Sequence, residues 1–219
     1  MPEVIKRIIT SLLLILFLII SINSIYVLFV LLIICCYEIF YEFFSMIKKI
    51  FISKNKINLY IFSLISLIYI TFINLEIFNI FLFDITKKKE TFYLIVTICI
   101  STDVGGYVFG KIFKGKKLSK ISPNKTMSGS VGSIIFSSFT ILILSNIIFM
   151  NLNYIFLIVG IFSSISCQLG DLFFSYIKRK AKLKDTGNFL PGHGGILDRL
   201  DGILVGLPIG FITLIFLFK

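Results

Sequence analysis

The chain has 219 residues, 57% of them hydrophobic and only 15% charged, with a mean hydropathy of +1.01. Soluble domains run at about 45–50% apolar and about 25% charged, so this composition excludes an ordinary water-soluble globule and points to an integral membrane protein. The 22 Lys and Arg against 11 Asp and Glu give a net charge of +11, but the basic residues fall in short loops between apolar runs. There they set orientation and meet anionic headgroups, and no nucleic-acid partner is expected.

A helix needs about 20 residues to cross a hydrocarbon core of about 30 Å. The apolar runs predict spans over 8–22, 25–47, 57–75, 91–110, 129–149, 153–177 and 200–218. The first follows Lys6-Arg7 and imitates a signal peptide. No small-residue cleavage site comes after it (the one alanine is Ala181), so it reads as an uncleaved span. The run 76–84 is too short to cross and reads as an interfacial turn or a tail to the third helix; counted as a span it would make eight.

Charge asymmetry favours seven. With the N-terminus inside, 18 of the 22 basic residues lie on the cytoplasmic side, in the N-terminal segment, 48–56, 111–125 and 178–199. An eighth span would throw the last two of these loops onto the face opposite the first two, against the positive-inside bias. The chain therefore reads as an all-α, polytopic integral membrane helix bundle of about seven spans. N-terminal helices occupy 1–90, and a catalytic region occupies 91–219 with cytoplasmic loops over 111–128 and 178–199. Cys35, Cys36, Cys99 and Cys167 lie in apolar stretches without metal-ligand spacing and read as buried small hydrophobes.

The acids carry the functional signal. A carboxylate at the bilayer centre costs about 3 kcal/mol, and Asp103 and Asp171 are both embedded in apolar runs. Neutralisation by a neighbouring lysine is the plain alternative to a functional role for them. Glu38 and Glu42, four residues apart on one helix face near a cytoplasmic end, read as interfacial charges. Asp198 and Asp201 are i,i+3 neighbours if the last helix begins near Ile196, so both project from one face of its first turn. A helix N-terminus also favours phosphate. The Gly- and Pro-containing segment 187–195 lets the chain fold back and bring Asp185 near the pair. Clustered carboxylates repel one another unless a cation sits among them. Beside lysines, they point to Mg²⁺ bridging to a phosphorylated substrate. His193, the only histidine, lies between glycines in this loop; a phosphate contact or proton-transfer group and a plain packing residue are both open. Lys178, Arg179, Lys180, Lys182 and Lys184 also form a basic collar, which explains Lys180 and Lys182 completely.

The motif spelled by Ser175, Lys178, Arg179, Lys184, Asp185, Pro191, Gly192, His193, Gly194, Gly195, Asp198, Arg199 and Asp201 resembles the signature of phosphatidate cytidylyltransferases, the CDP-diacylglycerol synthases. Gln168 with Gly170-Asp171-Leu172 also resembles that family. So do Asp103, Tyr107, Gly110-Lys111, Ile121-Ser122-Pro123 and Lys125-Thr126. The resemblance covers roughly residues 97–205. The chain departs from the pattern at Asn124, where a second lysine is usual, at Ser128, where a glutamate is usual, and mildly at Gly106. It is shorter than many members, as though N-terminal spans were lost.

The resemblance implies transfer of CMP from CTP to phosphatidate, giving CDP-diacylglycerol and pyrophosphate in phospholipid biosynthesis. Substrates are CTP and phosphatidate, the bilayer is the other partner, and a homodimer is left open. Both reactants are anions, so catalysis is mostly charge neutralisation and positioning. Mg²⁺ is assigned to Asp185, Asp198 and Asp201 with Asp171, and a second cation is left open. Asp185, Asp198, Asp201, Lys184, Arg199 and His193 form the expected catalytic set. Ser175, Lys178, Arg179, Asp103, Lys111, Ser122, Lys125, Gly194 and Gly195 form the expected substrate-binding set. The site is expected at the cytoplasmic face of a bacterial-type inner membrane. A CTP-dependent lipid or polyprenol kinase and, further off, an ion-coupled transporter using Asp103 and Asp171 are the alternatives.

Overall fold

The computed structural model describes residues 16, 19–20, 23–51, 56–83, 86–119, 121–122, 125–149, 154–192 and 194–217. Within them lie six helices: α1 (Ile25–Phe51), α2 (Lys56–Leu82), α3 (Thr86–Phe113), α4 (Met127–Phe149), α5 (Tyr154–Lys180) and α6 (Leu197–Leu217). Each is long and apolar enough to cross a membrane, and the described residues contain two isolated β-bridges but no strand. The all-helical membrane architecture and the six expected spans from residue 25 onward are borne out. The expected first span, 8–22, lies almost wholly outside the described residues. The run 76–84 does not make an eighth span: α2 continues through it as far as Leu82.

The chain forms two compact units, Met1–Ile85 with Ile177–Leu200, and Thr86–Tyr176 with Asp201–Lys219. In the first, α1 packs on α2 through Phe29 against Phe78 and Phe51 against Phe62, with ring centroids 5.1 and 5.5 Å apart. Ile39, Phe43, Met46 and Ile47 are buried, and their 4-3-1 spacing marks one helical face. Tyr37 and Tyr41 stack on the exposed side.

In the second unit α3 and α4 approach closely because both present small residues, as packed membrane helices do. A Cβ added to Gly106 would sit 2.7 Å from Ser133 Oγ, and one added to Gly129 would sit 2.7 Å from the carbonyl oxygen of Gly106. Ser133 Oγ donates to the Thr102 carbonyl at 2.8 Å across this contact. Nearer the start of α3, Leu94, Ile98, Ile141, Phe156 and Val159 form an apolar core. On α6, Gly202 and Gly206 lie against Cys167 and Cys99. All four cysteines are free, with Cys99 and Cys167 buried and Cys35 and Cys36 half-buried.

Candidate active site

Two polar clusters stand out, one in each unit. The cluster of the first unit is built on the start of α6. The first turn of any helix leaves backbone N–H groups without intrahelical partners, and in α6 a carboxylate from α1 fills that need. Glu42 is 2% exposed. It accepts hydrogen bonds from Ile196 N at 3.0 Å, Leu197 N at 2.9 Å and Thr186 Oγ1 at 2.6 Å. Gly195 leaves the room: a side chain there would collide with Glu42 and Thr186.

Thr186 faces a second carboxylate as well. Its N–H donates to Asp198 Oδ2 at 2.8 Å, and Gly195 N donates to the same oxygen at 3.2 Å. The other oxygen of Asp198 accepts from Lys178 Nζ at 2.8 Å. Leu190 and Gly194 exchange both backbone hydrogen bonds, and Gly192 and Gly194 take φ values of 80° and 86°. Those angles suit glycine and few other residues. A side chain on Gly194 would meet Asp198 Oδ2 at 3.1 Å and Asp185 Cβ at 3.8 Å, so the fold-back expected of segment 187–195 does bring Asp185 beside Asp198.

The cluster of the second unit lines a cavity of about 290 Å³ between residues of α3, α4, α5 and the loop before α4. Asp103, Asp171, Lys125, Thr102, Ser130 and Gln168 are among its walls. Lys125 forms an ion pair with Asp171. The loop that carries Lys125 is tied down by its own backbone: Leu118 N donates to the Lys125 carbonyl and Met127 N to the Lys116 carbonyl, both at 2.8 Å. Thr126 caps α4, its Oγ1 accepting from Gly129 N at 3.1 Å. Ser128, where the resembled pattern has glutamate, accepts from Gly115 N at 3.1 Å and so ties the end of α3 to the start of α4.

The structure thus puts Lys178, Asp185, Asp198, Gly194 and Gly195 together in one cluster, and Asp103, Lys125 and Asp171 in the other. Asp201 is 8% exposed, and its Oδ1 accepts from Gly202 N at 2.9 Å. Among the described residues no three His, Cys, Asp or Glu side chains group so as to hold a metal ion. Lys111, Arg179, Lys184 and Arg199 are exposed, and Ser122 and Ser175 are half-buried. The Lys111 ammonium lies 5.7 Å from the Tyr107 ring centroid. His193 and Asn124 lie outside the described residues. Sequence reasoning missed Glu42 and Thr186 as site residues.

Six helices long and apolar enough to cross a membrane, with two polar clusters carried on them, define an integral membrane protein. The family is shown by comparison: the model of the cytidylyltransferase family matches residues 54–217, and the chain belongs to that family. It is similar to the phosphatidate cytidylyltransferase of Rickettsia typhi, 38% identical over 61% of this chain and 63% of the relative. It is also similar to that of Staphylococcus saprophyticus, at 37% over 78% and 66%, and to that of Bacillus subtilis, at 44% over 53% and 44%. The matched regions span between 44% and 66% of these relatives.

Proposed function

We propose that the chain is a phosphatidate cytidylyltransferase, transferring CMP from CTP to phosphatidate and releasing pyrophosphate. The observation that carries the proposal is the cavity of about 290 Å³ in which Lys125, Asp103 and Asp171 meet, because it offers cationic and carboxylate groups to a triphosphate beside apolar helices that face lipid. The phosphatidate oxygen attacks the α-phosphorus in line, and the pyrophosphate departs with the electron pair of the broken P–O bond. The attacking phosphate oxygen is already ionised near neutral pH, so positioning and charge neutralisation do most of the work. Lys125 and Lys178, as point charges, and the forked guanidinium groups of Arg179 and Arg199 suit phosphate oxygens.

Mg²⁺ belongs to the proposal. Such an ion is usually held by one or two carboxylates together with substrate phosphates and water, and two pairs would suit it: Asp103 with Asp171 along the cavity, and Asp185 with Asp198 beside Gly194. When bound, it would neutralise charge on the phosphate oxygens. The proposed site faces the cytoplasm of a bacterial-type cell, where the basic loops lie and CTP is dissolved.

The test is to incubate the purified chain in detergent with CTP and phosphatidate, with and without Mg²⁺. Mg²⁺-dependent pyrophosphate and CDP-diacylglycerol are the expected products. Release of CDP with γ-phosphate transfer would favour a kinase, and an inert protein would overturn the proposal.

A further inference from the structure

Glu42 lies ahead of the residues matched by the family model, on a helix with no part in the signature motif. We infer that it is a positioning residue for the reacting cluster of the first unit. The inference rests on the cytidylyltransferase reading for its catalytic consequence, and on geometry alone for the anchoring itself.

Three donors converge on this buried carboxylate, and each belongs to the segment that carries Asp198. Ile196 and Leu197 supply the free N–H groups that precede Asp198 in the chain. Thr186 supplies a hydroxyl, while its own N–H holds Asp198 Oδ2. Thr186 therefore bridges the two carboxylates, and Lys178 is held on the far oxygen of Asp198. The order Glu42, Thr186, Asp198, Lys178 is a continuous chain of hydrogen bonds from α1 to the end of α5. Both glycines that flank this carboxylate lack the space for a side chain: a Cβ on Gly187 would lie 2.7 Å from Glu42 Oε1, and Gly195 is blocked by Glu42 and Thr186 together. The segment is shaped around Glu42. Displacing a reacting group by about 1 Å can cost about 100-fold in rate, so loss of the anchor reaches chemistry without any contact with substrate.

Glu42→Gln keeps the shape of the side chain but replaces one accepting oxygen with a donating amide, which faces N–H and O–H donors. Hydrogen exchange read on the purified full chain is expected to be at least tenfold faster over 186–198 and unchanged over α3 and α4. In the CTP and phosphatidate assay, kcat is expected to fall at least tenfold while KM for CTP moves less than threefold. Glu42→Asp, which retains the acid, is expected to recover part of kcat. Thr186→Val, a milder cut in the same chain of bonds, is expected to give an intermediate loss that is not additive with Glu42→Gln, and it carries the test if Glu42→Gln fails to fold. Unchanged exchange over 186–198 overturns the anchoring, and unchanged kcat overturns the positioning role. Exchange that rises across the whole chain reduces Glu42 to a general structural residue and overturns the inference. A wild-type chain inactive with CTP and phosphatidate sinks the proposed reaction instead, while the exchange arm still decides the anchor.

Discussion

Lys178 and Asp198 meet with Nζ 2.8 Å from Oδ1, their side chains only 13% and 10% exposed. One closes α5 and the other opens α6, so the pair clasps both ends of the loop between them. Shielded from water, such a pair contributes little net stability when intact, but removing one partner is costly because the other charge stays buried.

Asp198→Asn is therefore expected to lower stability by about 3 kcal/mol and to reduce CDP-diacylglycerol synthesis at least 100-fold. The double variant Lys178→Met, Asp198→Asn should regain most of the stability and none of the activity. Denaturant titration in detergent beside the product assay reads both quantities. A single variant that keeps wild-type synthesis would remove Asp198 from the site.

Lys125 is the cation of the second cluster, and the tied-down loop before α4 presents it to the cavity. Lys125→Ala is expected to raise KM for CTP at least tenfold, since a fixed cation facing phosphate is lost together with its pairing to Asp171. Steady-state kinetics against CTP concentration checks this.

The contact between α3 and α4 has backbone on one side of it. A methyl group on Gly129 would press on the Gly106 carbonyl at 2.7 Å, and a backbone atom yields less readily than a side-chain tip. Gly129→Ala is expected to cost about 1–3 kcal/mol, seen as a lower unfolding midpoint.

Lys182, two residues past the end of α5, has φ at 57°, and Leu183 N donates back to the Lys178 carbonyl at 2.9 Å. This is the helix-ending turn in which glycine is usual. Lys182→Gly is expected to raise stability by about 0.5–1 kcal/mol and to leave turnover unchanged, measured by the same unfolding and product assays.

The spans were legible because hydrophobic runs of helix length have few alternatives in a chain this apolar, and the embedded acids were legible because lipid penalises them. Asp198 could be placed at a helix start from local spacing. Glu42 could not be placed with its partners, which lie 144 to 155 residues away, and no periodicity joins α1 to the start of α6. Near a helix end, beside Glu38, it reads as one more surface charge. The traces it left were indirect: two glycines, Gly187 and Gly195, in the loop that leads to the start of α6. Spacing puts Asp198 in the first turn of α6, but the partners of its carboxylate, Lys178 Nζ, Thr186 N and Gly195 N, come from the end of α5 and the loop after it, which spacing does not encode.

The link from Glu42 to the start of α6 also imposes an order on biogenesis. The acceptor emerges from the ribosome 144 to 155 residues before its donors, so while the intervening segments are made Glu42 lacks the partners that hold it in the finished fold. Only when residues 186–197 have followed can those donors meet the acid, which makes the fastening of α1 to the start of α6 a late event in the assembly of the bundle.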